Sequence, residues 1–137
     1  MIVLDTHIWI WWIDENPKLS AENLKIIEEN QSDGLGISII SCWEIAKLIE
    51  KGRLAFEVTV DEWLESALLY PGIQLLPLTV PIILQSTRLK GFHSDPADQL
   101  LVATAMMCAS SLVTQDNKIL TYLNTQIAPG QSDSEKD

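Results

Sequence analysis

Met1-Ile2-Val3-Leu4-Asp5-Thr6-His7 opens the chain, and its reading decides the fold. Ile2, Val3 and Leu4 are an uninterrupted apolar run, too short for a helix and rich in strand formers. Such a run predicts a strand buried on both faces, the usual state in a parallel sheet. It stops at an acid. A carboxylate at the carboxyl end of a buried parallel strand points into the crevice where α/β proteins bind ligands. The same residue, or Thr6, is also well suited to cap the helix expected from His7. Asp5 alone leaves both roles open.

Four further runs extend the pattern. Leu35 to Ile40, Ile73 to Leu78 and Ser111 to Thr114 are predicted strands, and Asn124 to Ile127 is a candidate edge strand. Helices are expected over His7 to Ile13, Ser20 to about Gln31, Ile45 to Lys51, Thr59 to Tyr70, Val80 to Leu89, Asp95 to about Ala109 and Asn117 to Leu123. Strands alternating with helices predict a parallel α/β sheet. The segment His7 to Ile13 carries Trp9, Trp11 and Trp12. Three indoles do not fit one narrow helical face, so at least one is expected to line a groove or meet a partner.

The bulk properties set limits. At 137 residues the chain is long enough for one domain with a real core, and 47% of it is hydrophobic. Residues 1–129 are expected to form that domain, with 130–137 a disordered acidic tail. No apolar run reaches the roughly 18 residues of a membrane span, and the N-terminus has no basic signal region. Cys42 and Cys108 lack metal-type spacing and read as reduced thiols of a cytoplasmic protein. The net charge is −10. Such acidity repels nucleic acid at long range, so nucleic-acid chemistry would need metal ions and a local basic patch. Lys47, Lys51 and Arg53 form the best basic cluster, otherwise a solvated helix end.

Asp5 is one of four acids with similar placement. Ser41 and Glu44 have capping-box spacing. Asp95, Pro96 and Asp98 read as N-cap, N1 and N3 of the next-to-last helix. Asp116 follows the predicted strand at Ser111 to Thr114 and is placed to cap the last helix. Each acid therefore has a local structural role. Together they show another pattern: with right-handed crossovers, all strand carboxyl ends lie on one sheet edge, and the four acids gather there. Gathered carboxylates repel unless a cation neutralises them. A hard divalent ion does this with oxygen ligands while keeping several waters, and such a site can hydrolyse a phosphodiester.

These motifs resemble those of PIN-domain proteins, and more narrowly the VapC-type ribonuclease toxins of toxin–antitoxin pairs. The resemblance is carried by Leu4-Asp5-Thr6-His7, Ser41-x-x-Glu44-Ile45, Asp95-Pro96-x-Asp98-x-x-Leu101-Val102-Ala103-x-Ala105 and Leu112-Val113-Thr114-x-Asp116. It implies a three-layer α/β/α sandwich around a central parallel sheet of about five strands. It further implies that Asp5, Glu44, Asp98 and Asp116 are an acidic quartet binding Mg²⁺ or Mn²⁺. The main ion would sit on Asp5 and Asp98, with Glu44 and Asp116 holding waters or a second ion. Thr6 and Thr114 would orient ligands or a phosphate, Asp95 would serve as a cap or supporting acid, and His7 and His93 would make structural hydrogen bonds. An RNA substrate, a homodimer and an antitoxin packed along the tryptophan-bearing helices complete the expectation. The chain departs from the family pattern at Gln99, where the motif continues with arginine. A non-catalytic binding module of the same fold is the alternative. A phosphoacceptor domain fits poorly, because His7 stands where a second acid would be needed.

Overall fold

The computed structural model describes residues 1–92 and 94–126. The expected tail at 130–137 and the role expected of His93 lie outside them. The elements run β1 (Ile2–Leu4), α1 (Thr6–Ile13), α2 (Ala21–Asn30), β2 (Leu35–Ser38), α3 (Ile39–Glu50) and α4 (Val60–Leu68). They continue with β3 (Ile73–Leu76), α5 (Val80–Ser86), α6 (Pro96–Met107), β4 (Leu112–Val113) and α7 (Asn117–Gln126).

All strand pairings are parallel, in the order β3-β2-β1-β4. The chain moves outward from β1 through β2 to β3, then returns to place β4 on the other side of β1. The strand order therefore reverses at β1, and the crevice at the carboxyl ends of β1 and β4 is a topological switch point. β1 is buried along its whole length. Its side chains alternate as a strand requires. Ile2 and Leu4 pack with Trp9, Ile27, Ile45 and Trp63 from α1 to α4, whereas Val3 packs with Leu101 and Ala105 of α6. Val102 on another side of α6 meets Ile119 and Tyr122 of α7. The result is a three-layer α/β/α sandwich.

Local chemistry accounts for most boundaries. Ser20 caps α2, Thr59 and Glu62 form a capping box on α4, and Thr79 caps α5 just before Pro81. Gly34, at φ +118°, makes the turn from α2 into β2 that a side chain would strain.

Three expectations are corrected. β2 ends at Ser38, and α3 begins at Ile39, six residues before the predicted start. Ile39 and Ile40 have strand-like branching, but the Ser38 side chain accepts the Ile40 N–H and starts a helix there. Ser41 and Glu44 consequently lie inside α3 and form no capping box. The sheet has four strands among the described residues rather than about five, because 124–126 continue α7; Ile127 is not described. Among the described residues no helix is long and apolar enough to cross a membrane.

Candidate active site

Asp5 follows β1, is 7% exposed and caps α1. Its Oδ1 accepts the Thr6 N–H at 2.7 Å, and its Oδ2 accepts the Thr114 hydroxyl at 2.6 Å. Thr114 Oγ1 in turn accepts the Asp116 N–H at 3.0 Å. A short chain of hydrogen bonds thus joins the end of β1 to the loop after β4. Asp116 directs Oδ1 at the N–H groups of Lys118 and Ile119, at 2.8 and 3.1 Å, and caps α7.

Glu44 lies in the second turn of α3 and reaches the same crevice. Thr6 Oγ1 lies 2.6 Å from Glu44 Oε1 and 2.8 Å from Ser41 Oγ. One hydroxyl carries one proton, and an ionised carboxylate only accepts. Thr6 therefore donates to Glu44 and accepts from Ser41. Thr6 and Ser41 are fully buried. The hydroxyls of Thr6 and Thr114 are directed at carboxylates.

Asp98 stands at N3 of α6, where Asp95 Oδ1 accepts the N–H groups of Ala97 and Asp98 at 3.0 and 3.3 Å. Burial, reinforced by the negative charges of Asp95, Asp5, Glu44 and Asp116, pushes the Asp98 carboxyl up to about 7. Burial also raises Asp5 and Glu44, against the opposing pull of their threonine partners. His7, exposed and 5.8 Å from the Trp11 ring, favours the charged forms of both. The structure thus brings Asp5, Glu44, Asp98, Asp116 and Asp95 within electrostatic reach of one another. Among the described residues no three His, Cys, Asp or Glu side chains close into a ready-made metal cage.

Two openings flank the acids. One, of about 560 Å³, is lined by Ser94, Asp95, Asp98, Asp116, Asn117 and Lys118. The other, of about 270 Å³, lies between Asp5, His7, Trp11 and Asp116.

One contributor was read in another role and one escaped sequence reasoning. Ser41, expected to pair with Glu44 in a capping box, instead supports Thr6. Gln115, between Thr114 and Asp116, accepts from Ser20 N and Asn23 Nδ2 at 2.9 and 3.1 Å and donates to the Lys18 carbonyl at 3.0 Å. It ties the start of α2 to the site loop, and nothing in the sequence pointed to that contact.

The raised carboxyls have a consequence for stability. Asp98 holds a proton in the folded chain up to about pH 7, whereas in the unfolded chain it releases it near its ordinary value of 3.8. Between these values the folded state binds more protons, so stability falls as pH rises through the window. Asp5 and Glu44 act in the same direction. In EDTA, Asp98→Asn is expected to flatten this loss and to raise Tm at pH 8 by about a few degrees. Thermal melts from pH 5 to 8 measure it; a variant with the wild-type pH slope would show that Asp98 does not carry the strain.

A parallel three-layer sandwich with an acidic crevice at its switch point defines an α/β domain built to present oxygen donors along one sheet edge. Residues 2–122 match the PIN domain family, and the chain belongs to it. It is 31% identical over 122 residues to ribonuclease VapC22 of Mycobacterium tuberculosis, covering 88% of this chain and 91% of that protein. Its fold is similar to that of VapBC2 from Rickettsia felis, solved bound to a promoter DNA fragment, at TM-score 0.65 and 21% identity, covering 90% and 95% of the two chains. It is also similar to FitAcB from Neisseria gonorrhoeae, at TM-score 0.61 and 20% identity, covering 90% and 94%.

Proposed function

We propose that this chain is a divalent-metal-dependent endoribonuclease and the toxin of a toxin–antitoxin pair. The observation that carries the reading is the gathering of Asp5, Glu44, Asp98 and Asp116 at the switch point, with Asp98 pushed up to about 7 by its burial and its neighbours. Capping accounts for Asp5 and Asp116 only, and gives Glu44 and Asp98 no reason to share their crevice at that cost. The family match and the ribonuclease relative support the same conclusion.

The donor set fits Mg²⁺ or Mn²⁺. It offers only carboxylate oxygens, and an ion that keeps several waters needs no complete protein cage. Asp5 and Asp98 would hold the principal ion; Glu44 and Asp116 would hold its waters or a second ion. When bound, the cation would neutralise the acids and supply Lewis acidity at the phosphate. Thr114 fixes the Asp5 carboxylate and Thr6 fixes Glu44 through Oε1. That leaves Glu44 Oε2 to accept a proton from the attacking water. No side chain acts as a covalent nucleophile.

The antitoxin is assigned to the groove beside α1. Trp11 and Trp12 line about 590 Å³ together with Leu24, Tyr70 and Pro71, and Glu15 and Glu28 stand at its edge. Trp12 meets Tyr70 edge to face at 5.6 Å. An apolar helical segment with basic flanks suits that surface. A homodimer is assigned to α5, whose Val80, Ile83 and Leu84 form an exposed apolar stripe. The protein is assigned to the cytoplasm, a setting that suits the free thiols of Cys42 and Cys108.

The test is cleavage of structured and unstructured RNAs by the purified chain in Mg²⁺ or Mn²⁺. Cleavage is expected with either ion and is expected to stop in EDTA. Equal cleavage in EDTA would overturn the metal dependence. No cleavage under any condition would leave a non-catalytic binding module.

A further inference from the structure

Trp43 stands immediately before Glu44 on α3 and is 53% exposed. It lies outside the apolar core that α3 shares with the sheet. Trp43, Lys47 and Lys51 recur at intervals of four, so they share one face of α3 and its end. Arg53 follows in the next turn. These side chains, with Glu44 and Asp95, line a groove of about 450 Å³ that runs between α3 and the start of α6. Three of the chain's nine basic residues fall within 47–53, in a protein whose net charge is −10. Lys47 bonds Glu50 at 2.9 Å, whereas Lys51 and Arg53 are exposed and line the groove. The groove is thus basic at one end and opens on the acidic crevice at the other. It is distinct from the Trp11–Trp12 groove.

We propose that this groove is the track along which single-stranded RNA reaches the acids, with Trp43 stacking on a base and Lys51 and Arg53 meeting backbone phosphates. The inference rests on the nuclease reading above and names the form of RNA that the site takes. A single strand is favoured because an exposed indole next to the site needs an unstacked base face, which a duplex does not offer. The cations supply the local attraction that an acidic chain otherwise lacks. Trp43 is a positioning residue for the strand; Glu44 beside it is one of the four acids the strand is brought to.

The experiment measures anisotropy of an end-labelled, mixed-sequence single-stranded oligoribonucleotide, and of a duplex of equal length, on full-length Asp98→Asn protein in Mg²⁺. Adding Trp43→Leu is expected to weaken single-strand binding about tenfold or more, with Trp43→Phe recovering most of it. Adding Lys51→Ala and Arg53→Ala is expected to lower the salt dependence by about one phosphate contact or more. Duplex binding is expected to be weak and indifferent to Trp43. In the cleaving protein, the Trp43→Leu loss is expected in KM rather than kcat. Cleavage by the parent with single-strand affinity, salt slope and KM unchanged in these variants would overturn the track and leave the nuclease standing. A parent that neither cleaves nor binds RNA would overturn both.

Discussion

Asp5→Asn is expected to lower metal-dependent RNA cleavage by about a hundred- to a thousandfold while the protein stays folded. Asparagine keeps the size of the side chain, and its carbonyl oxygen can still accept the Thr6 N–H. Its amide, however, would face the Thr114 hydroxyl that now donates to Asp5 Oδ2. The charge is lost at the buried end of β1, where the principal ion would sit. Removing it also removes a buried carboxylate whose ionised form burial disfavours. The metal-free variant should therefore melt no lower than the parent. Cleavage rates and melts on the same preparation check both halves. Activity lost together with the fold would assign Asp5 to architecture, and full activity would remove it from the site.

The second large effect is on stability. Trp9→Ala is expected to cost about 3–5 kcal/mol, a large share of the 5–15 kcal/mol by which a domain is usually stable. Trp9 is fully buried in the main core and meets Trp63 edge to face at 5.2 Å. Trp63 in turn stacks on Phe56 at 4.5 Å and donates its indole N–H to Asp14 at 3.1 Å. The loss would leave a void that this aromatic group cannot close. Trp9 Nε1 has no hydrogen-bond partner among the described residues. Trp9→Phe removes that buried donor as well as some area, so its cost should be about 1 kcal/mol or less. Urea unfolding of both variants measures the difference. Equal losses in the two would show that the indole N–H is not a burden.

Much of this fold is legible because it is written locally. The run Ile2-Val3-Leu4 announces a strand buried on both faces, and β1 is buried on both. Caps at Ser20, Thr59, Thr79 and Asp95 mark helix starts through side chains two or three residues from the N–H groups they accept. Ser38-Ile39-Ile40 misled because branched side chains favour a strand, while the buried serine's cap and the packing of α3 favour a helix. Residues 124–126 misled for a related reason, since their polar composition suits an edge strand and they continue α7 instead.

The site was half legible. Four acids with cap-like spacing can be found in the sequence, and parallel topology predicts a common edge. Which hydroxyl holds which carboxylate cannot be read there. Thr6 meets Glu44 across 38 positions and Thr114 meets Asp5 across 109. Those pairings depend on the strand order, and no local propensity encodes it. Glu44 illustrates the limit well. It was found through a capping box it does not form, yet it lies in the crevice because α3 starts earlier than expected.

The Thr114–Asp5 bond also sets a clock on biosynthesis. Among the described residues the first strand made is paired on one side with β4, so synthesis must pass Thr114 before this edge of the sheet can close. At about 5–20 residues per second, the 109 positions between them take on the order of ten seconds to synthesise. Through that interval the nascent chain carries Asp5 without the hydroxyl that aims it. The acidic edge of this sheet is therefore assembled late, only after β4 has been made and paired with β1.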